Sequence, residues 1–110
     1  MKLFWNDINN FSYYLGDLYK ENENYVFYIN EIGLSKALKK GCFGIGSINI
    51  TNKINKSKQL FDFFKNRIIS KNSPHIDEFL QNIGLKQYDE YEILKRTHLN
   101  LLTDNYFLED

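Results

Sequence analysis

Cysteine is nearly absent from this chain. Cys42 is the only one, so no disulfide can close within it, and a reducing cytoplasm is the expected setting. Charge of one sign is absent too: 14 basic and 14 acidic residues give a formal net charge of zero. A domain that binds a phosphate backbone ordinarily carries a basic excess. The acidic close LED at 108–110 points the same way, so no direct nucleic-acid partner is expected. No run approaches the roughly 18 apolar residues of a membrane span. The opening MKLFWNDINN has one lysine and no apolar core, so neither a signal peptide nor a membrane partner is expected. Repeats, low-complexity stretches and long linkers are also missing. One domain over residues 1–110 is therefore the expectation.

Aromatic side chains are abundant. They make up 16 % of the residues, with 9 Phe and 8 Tyr, and large rings bury much area each, which makes a stable core feasible at this length. Segments 2–5, 11–20 and 25–30 read as three strands of an antiparallel meander, with ENEN at 21–24 as a polar turn. The period then changes. Ile32, Leu34, Ala37 and Leu38 form a helical stripe over 31–40, Lys39 and Lys40 suit its C-terminal end, and Gly41 stands where a helix stops. FGIGSINI at 43–50 alternates bulky and small residues and reads as a strand. TNKINKSK at 51–58 reads as a polar loop, with Ser57 as an N-cap. Leu60, Phe63, Phe64 and Arg67 mark a helix over 59–69. Ser73-Pro74 opens another helix, with Pro74 at its first position and a stripe of Ile76, Phe79, Leu80 and Ile83 ending at Gly84. A helix over 88–97 and a strand over 105–108 complete the chain. The expected fold class is α+β, a small antiparallel sheet with three to four helices packed on it.

The stretch KKGCFGIGSINI at 39–50 invites a nucleotide reading, with three glycines beside two lysines. A phosphate loop needs a strand before it and a helix after it. Here the order is helix, glycine, strand, which favours a helix stop leading into a strand. His75 and His98 are the only histidines, and neither has a second ligand at zinc spacing. Cys42 beside Phe43 reads as a small buried hydrophobe, with a thiol nucleophile as the minor alternative. The acidic pairs Asp77-Glu78, Asp89-Glu90 and Glu109-Asp110 read as helix-dipole partners and solvated faces, and Asp104 has no evident partner. No catalytic, metal or cofactor site is expected, and the chain reads as a non-enzyme. Tyr13, Tyr14, Tyr19, Tyr25 and Tyr28 all fall in the meander, where a two-faced sheet must turn some of them outward. Tyr88 also reads as outward-facing. Exposed tyrosines are favoured interface anchors. The candidate partner-binding residues are Tyr13, Tyr19, Tyr88 and Arg67.

The order of these elements resembles the HipA N-terminal domain family. Trp5 stands where that family has a first aromatic strand. Gly16-Asp17-Leu18 match its second strand and Val26-Phe27-Tyr28 its third. LFDFFKNRI at 60–68 is similar to the family's hallmark helix through Phe63, Phe64, Asn66 and the pair Ile68-Ile69, and Glu90 to Leu94 are similar to its later acidic-aromatic segment. The usual proline after the hallmark helix is missing, and residues 41–47 depart from the family's usual strand. In HipA proteins a serine/threonine kinase core follows this domain, and no kinase signature stands in this chain. The resemblance implies a free-standing, HipS-like antitoxin that binds and restrains a separate HipA-like kinase, in a system that includes a DNA-binding antitoxin. The alternative reading is a phage or mobile-element protein that inhibits a host defence complex or binds nucleic acid.

Overall fold

Three alternating aromatic segments pair as a meander, and the rest of the chain is arranged on that frame. The computed structural model describes residues 1–99 and 105–110, so Asp104 lies outside the described residues. Strands β1 (Lys2–Asn6), β2 (Ser12–Glu21) and β3 (Asn24–Ile29) run antiparallel, joined between β2 and β3 by Asn22 and Glu23. Asn22 takes φ 56°, a left-handed conformation that asparagine tolerates. Two further strands extend the sheet. β4 (Ile54–Ser57) pairs with β3, and β5 (Tyr106–Glu109) pairs with β1, giving the order β4-β3-β2-β1-β5, all antiparallel. The described helices are α1 (Glu31–Lys39), α2 (Asp62–Lys65), α3 (Ile76–Asn82) and α4 (Glu90–Thr97). The fold is thus α+β, with a five-stranded antiparallel sheet and four helices among the described residues. No helix among them is long and apolar enough to cross a membrane.

One face of the sheet builds the core. Leu3, Trp5, Leu18, Tyr25, Phe27, Ile29 and Leu108 are buried there against Leu34 and Ala37 of α1, Phe63 and Phe64 of α2 and Leu94 of α4. A register shift between Leu3 and Phe4 leaves Leu15 unpaired opposite β1. On the β3 side the Leu15 carbonyl continues the ladder by accepting the Asn30 N–H at 2.9 Å, and the Asn30 side chain accepts from Gly33 N–H at 2.9 Å as the N-cap of α1. Gly33 allows α1 to lie directly on β2, because a Cβ there would stand 1.8 Å from the Tyr14 carbonyl oxygen. The α1 stripe is narrower than the sequence suggests, since Ile32 and Leu38 face solvent. At its far end the N–H of Cys42 bonds to the Ala37 carbonyl and that of Gly41 to the Leu38 carbonyl, with Gly41 at φ +106°. This is a Schellman closure. The same pair of bonds, from Leu85 to Leu80 and from Gly84 to Gln81, ends α3.

Five further sequence expectations are corrected. Residues 43–50 are not a strand. Cys42, Ile45 and Ile48 are buried at intervals of three, and the positive φ of Gly44 (96°) and Gly46 (51°) makes turns instead. The strand lies further on, at β4, inside the segment expected to be a polar loop. Its residues Ile54 and Lys56 are exposed and Asn55 and Ser57 half-buried, as suits an edge strand. Ser57 caps no helix; its hydroxyl accepts from Gln59 N–H at 3.2 Å. The 59–69 helix contracts to the single turn of α2, which lets Leu60, Phe63 and Phe64 all point inward. A full helix would spread the apolar residues from Leu60 to Ile69 around most of its circumference. Pro74 lies in the turn before α3, and His75 occupies the N-cap position.

Candidate interaction surface

The second face of the sheet has a different character. None of its residues belongs to the main core cluster. Alternation along β1 sends Leu3 and Trp5 inward, and Lys2, Phe4 and Asn6 outward. Cross-strand pairing then assembles rows. Phe107, Phe4 and Tyr14 stand side by side across β5, β1 and β2, with Phe4 stacked on Phe107 at 5.2 Å between centroids and 5.6 Å from Tyr14. A second row runs Glu109, Lys2, Asp17, Tyr28 and Ile54 across all five strands. Lys2 lies between two carboxylates in this row, and its ammonium sits 5.7 Å from the Tyr14 ring centroid. Tyr19 meets Tyr28 edge-on at 5.7 Å, and Val26 is covered between them and Lys56.

Two hydroxyls on this face, those of Tyr14 and Tyr28, are held as donors. Tyr14 donates to the Asp17 carboxylate, and burial followed by that bond raises its pKa. Tyr28 donates to Glu21 at 3.4 Å, and the Glu21 charge is the main cause of its raised pKa. The result is a layer of fixed rings with neutral, oriented hydroxyls and both signs of charge at its margins. Such a layer can bury against a protein surface, since rings already stacked lose little further freedom on binding.

The four candidate residues from the sequence are not brought together. Tyr19 lies on this outer face and is 43 % exposed. Tyr13 lies on the opposite face at the sheet end, packed on Trp5, with its hydroxyl on Asp7 at 3.1 Å. Tyr88 donates to the Ile69 carbonyl at 2.7 Å, with a pKa raised by burial and then by Glu90. It lines a polar cleft of about 780 Å³ in which Lys20, Lys65 and Lys71 are offset by Asp62, Asp89 and Glu90. Arg67 lies over the Phe63 ring at 3.8 Å and donates to the Phe63 carbonyl at 2.7 Å. The sequence reading passed over Phe4, Phe107 and Ile54 as surface residues. For the first two, strand parity was the available signal, since each is flanked in sequence by residues of the opposite face.

Cys42 is buried, and its sulfur contacts Gly44 and the Tyr106 hydroxyl, with neither histidine among its hydrogen-bond partners. His75 stands at the start of α3. The His98 ring meets the Leu108 carbonyl at 3.2 Å, where the left-handed end of α4 closes on the outer side of β5. Among the described residues no group of three His, Cys, Asp or Glu is placed to hold a metal ion.

Fold and surface together define a small α+β domain with one sheet face packed in the core and, among the described residues, the other aromatic and half-buried. Compared with family models, with curated proteins and with solved structures, the chain matches none.

Proposed function

We propose that this chain is a non-catalytic binding module that docks on a separate HipA-like serine/threonine kinase and restrains it in the cytoplasm. The observation that carries the reading is the half-buried aromatic sheet face away from the core, built from Phe107, Phe4, Tyr14, Tyr28 and the exposed Tyr19. A sheet face rich in fixed rings gives a partner apolar area and oriented hydroxyls at low entropic cost. The resemblance to the HipA N-terminal domain supplies the kinase as partner. The residues that carry it, Trp5, Leu18, Phe27, Phe64 and Leu94 among them, are buried and build the core. A shared scaffold of this kind leaves the outer face free to be adapted to a partner.

The reading predicts a HipA-like kinase gene beside this one, and it is tested with that kinase. The two purified proteins should form a stable complex by calorimetry. The double variant Tyr19→Glu with Ile54→Glu, which alters only exposed positions on the outer face, should fold normally and bind at least about tenfold more weakly. A complex of undiminished affinity would move the interface off this face, and the lack of any complex would remove the kinase as partner.

A further inference from the structure

After α1 the chain makes a turn that leaves one ring wholly in water. Phe43 is 100 % exposed, although Cys42 before it is 5 % exposed and Ile45 after it 1 %. The turn is fixed on both sides. The Schellman bonds from Gly41 and Cys42 tie its start to α1. Gly44 N–H donates to Cys42 Sγ at 3.4 Å, and the Tyr106 hydroxyl on β5 donates to the Gly44 carbonyl at 2.6 Å. Gly41 at φ +106° and Gly44 at φ +96° carry the backbone where other residues would be strained. Pinned this way, the ring is held away from the protein's own apolar surface. Leaving it in water forgoes the stabilisation that burial of a phenyl ring supplies.

The chain leading to the ring is basic. Lys36, Lys39 and Lys40 are exposed on the last turns of α1 and just beyond them. The β1–β2 loop, which carries Ile8 (96 % exposed) and Phe11 (62 %), reaches the same end of the molecule, where the Lys40 charge acts on Asp7. The Asp7 carboxylate is itself engaged by the N–H groups of Asn9 and Phe11 and by the Tyr13 hydroxyl. Lys36, Lys39 and Lys40 set three positive charges at this end of the molecule against the ionised Asp7.

We propose that Phe43 is an anchor that seats in a phenyl-sized apolar pocket on a protein partner, with carboxylates at the pocket rim facing Lys36, Lys39 and Lys40. A ring held at one fixed point suits a shaped pocket. A fluid lipid interface makes no demand for fixed presentation. Strand binding to nucleic acid uses several rings along a basic groove, whereas this chain has equal numbers of basic and acidic residues. An aromatic anchor seated in a well-packed, desolvated pocket concentrates binding energy at a protein interface, and charges at its rim steer the encounter. The inference rests on the reading of the chain as a kinase-binding module and adds to it a contact away from the sheet face.

The test titrates the wild-type protein, Phe43→Ala, Phe43→Leu and the double variant Lys39→Glu with Lys40→Glu into the purified neighbouring kinase, with thermal melts confirming that each is folded. Phe43→Ala should bind about tenfold more weakly or worse, with Phe43→Leu in between. The lysine variant should also weaken binding and reduce its salt dependence. Undiminished binding by Phe43→Ala overturns the anchor while leaving the kinase reading in place. A wild-type protein that does not bind the kinase removes that reading and the anchor with it. Phe43-dependent binding to phosphatidylserine vesicles or to oligo-dT, in place of the kinase, also overturns the inference.

Discussion

The Tyr106 hydroxyl donates to the Gly44 carbonyl at 2.6 Å and so ties the last strand to the glycine-rich turn 62 residues earlier in the chain. Among the described residues the other donor to that carbonyl is the weak thiol of Cys42, at 3.7 Å. Tyr106→Phe keeps the ring on Phe63 and removes the donor. It should lower stability by about 1 kcal/mol, read as a reduced urea midpoint at unchanged slope.

Gly33 sits where a side chain has no room. A Cβ there would stand 1.8 Å from the Tyr14 carbonyl oxygen, so Gly33→Ala must lift α1 off β2. The expected loss is about 1–3 kcal/mol, as for overpacking elsewhere. Helix propensity alone would make the same substitution stabilising, so the sign of the change in urea midpoint decides between the two effects.

Phe64 is fully buried, edge-on to Phe63 at 5.1 Å and 5.9 Å from Phe27. Phe64→Ala should cost about 3–5 kcal/mol through lost transfer energy and the cavity left behind. Truncating Ile54, which is 50 % exposed, should change stability by no more than about 0.5 kcal/mol. Chemical denaturation of the two variants checks the contrast.

Asp7 gives the fold a pH dependence. The Phe11 N–H, then the Tyr13 hydroxyl and the Asn9 N–H, hold its carboxyl below the ordinary value of 3.8. A depressed folded-state pKa contributes stability that is present above the unfolded value and lost as pH falls through the folded one. The gap in urea midpoint between wild type and Asp7→Ala should therefore be full above 3.8 and shrink below it. A gap that does not change with pH would place the effect elsewhere.

Much of the scaffold was legible in the sequence because its signals are local. Alternating rings gave β1 to β3, and the stripe over 31–40 with Gly41 after it gave α1 and its end. Three parts were hidden. β4 is an edge strand whose polar residues face water, so its sequence resembles a loop. Residues 43–50 alternate by size, but positive φ at Gly44 and Gly46 turns the chain out of any strand. The apolar run from Leu60 to Ile69 is dense enough to suggest a long helix, while burial on a sheet requires only one turn of it. The outer face was half legible. Tyr14, Tyr19 and Tyr28 stand out in the meander, but their junction with Phe4, Phe107 and Ile54 depends on sheet order, which places residues about a hundred positions apart side by side.

The central claim is restraint of a kinase by docking. The most direct measurement is the phosphorylation rate of the neighbouring HipA-like kinase during titration with this protein. The account predicts a fall in rate that saturates near one equivalent, and a weaker fall with the Tyr19→Glu, Ile54→Glu variant. Full kinase activity in the presence of excess folded protein would contradict it.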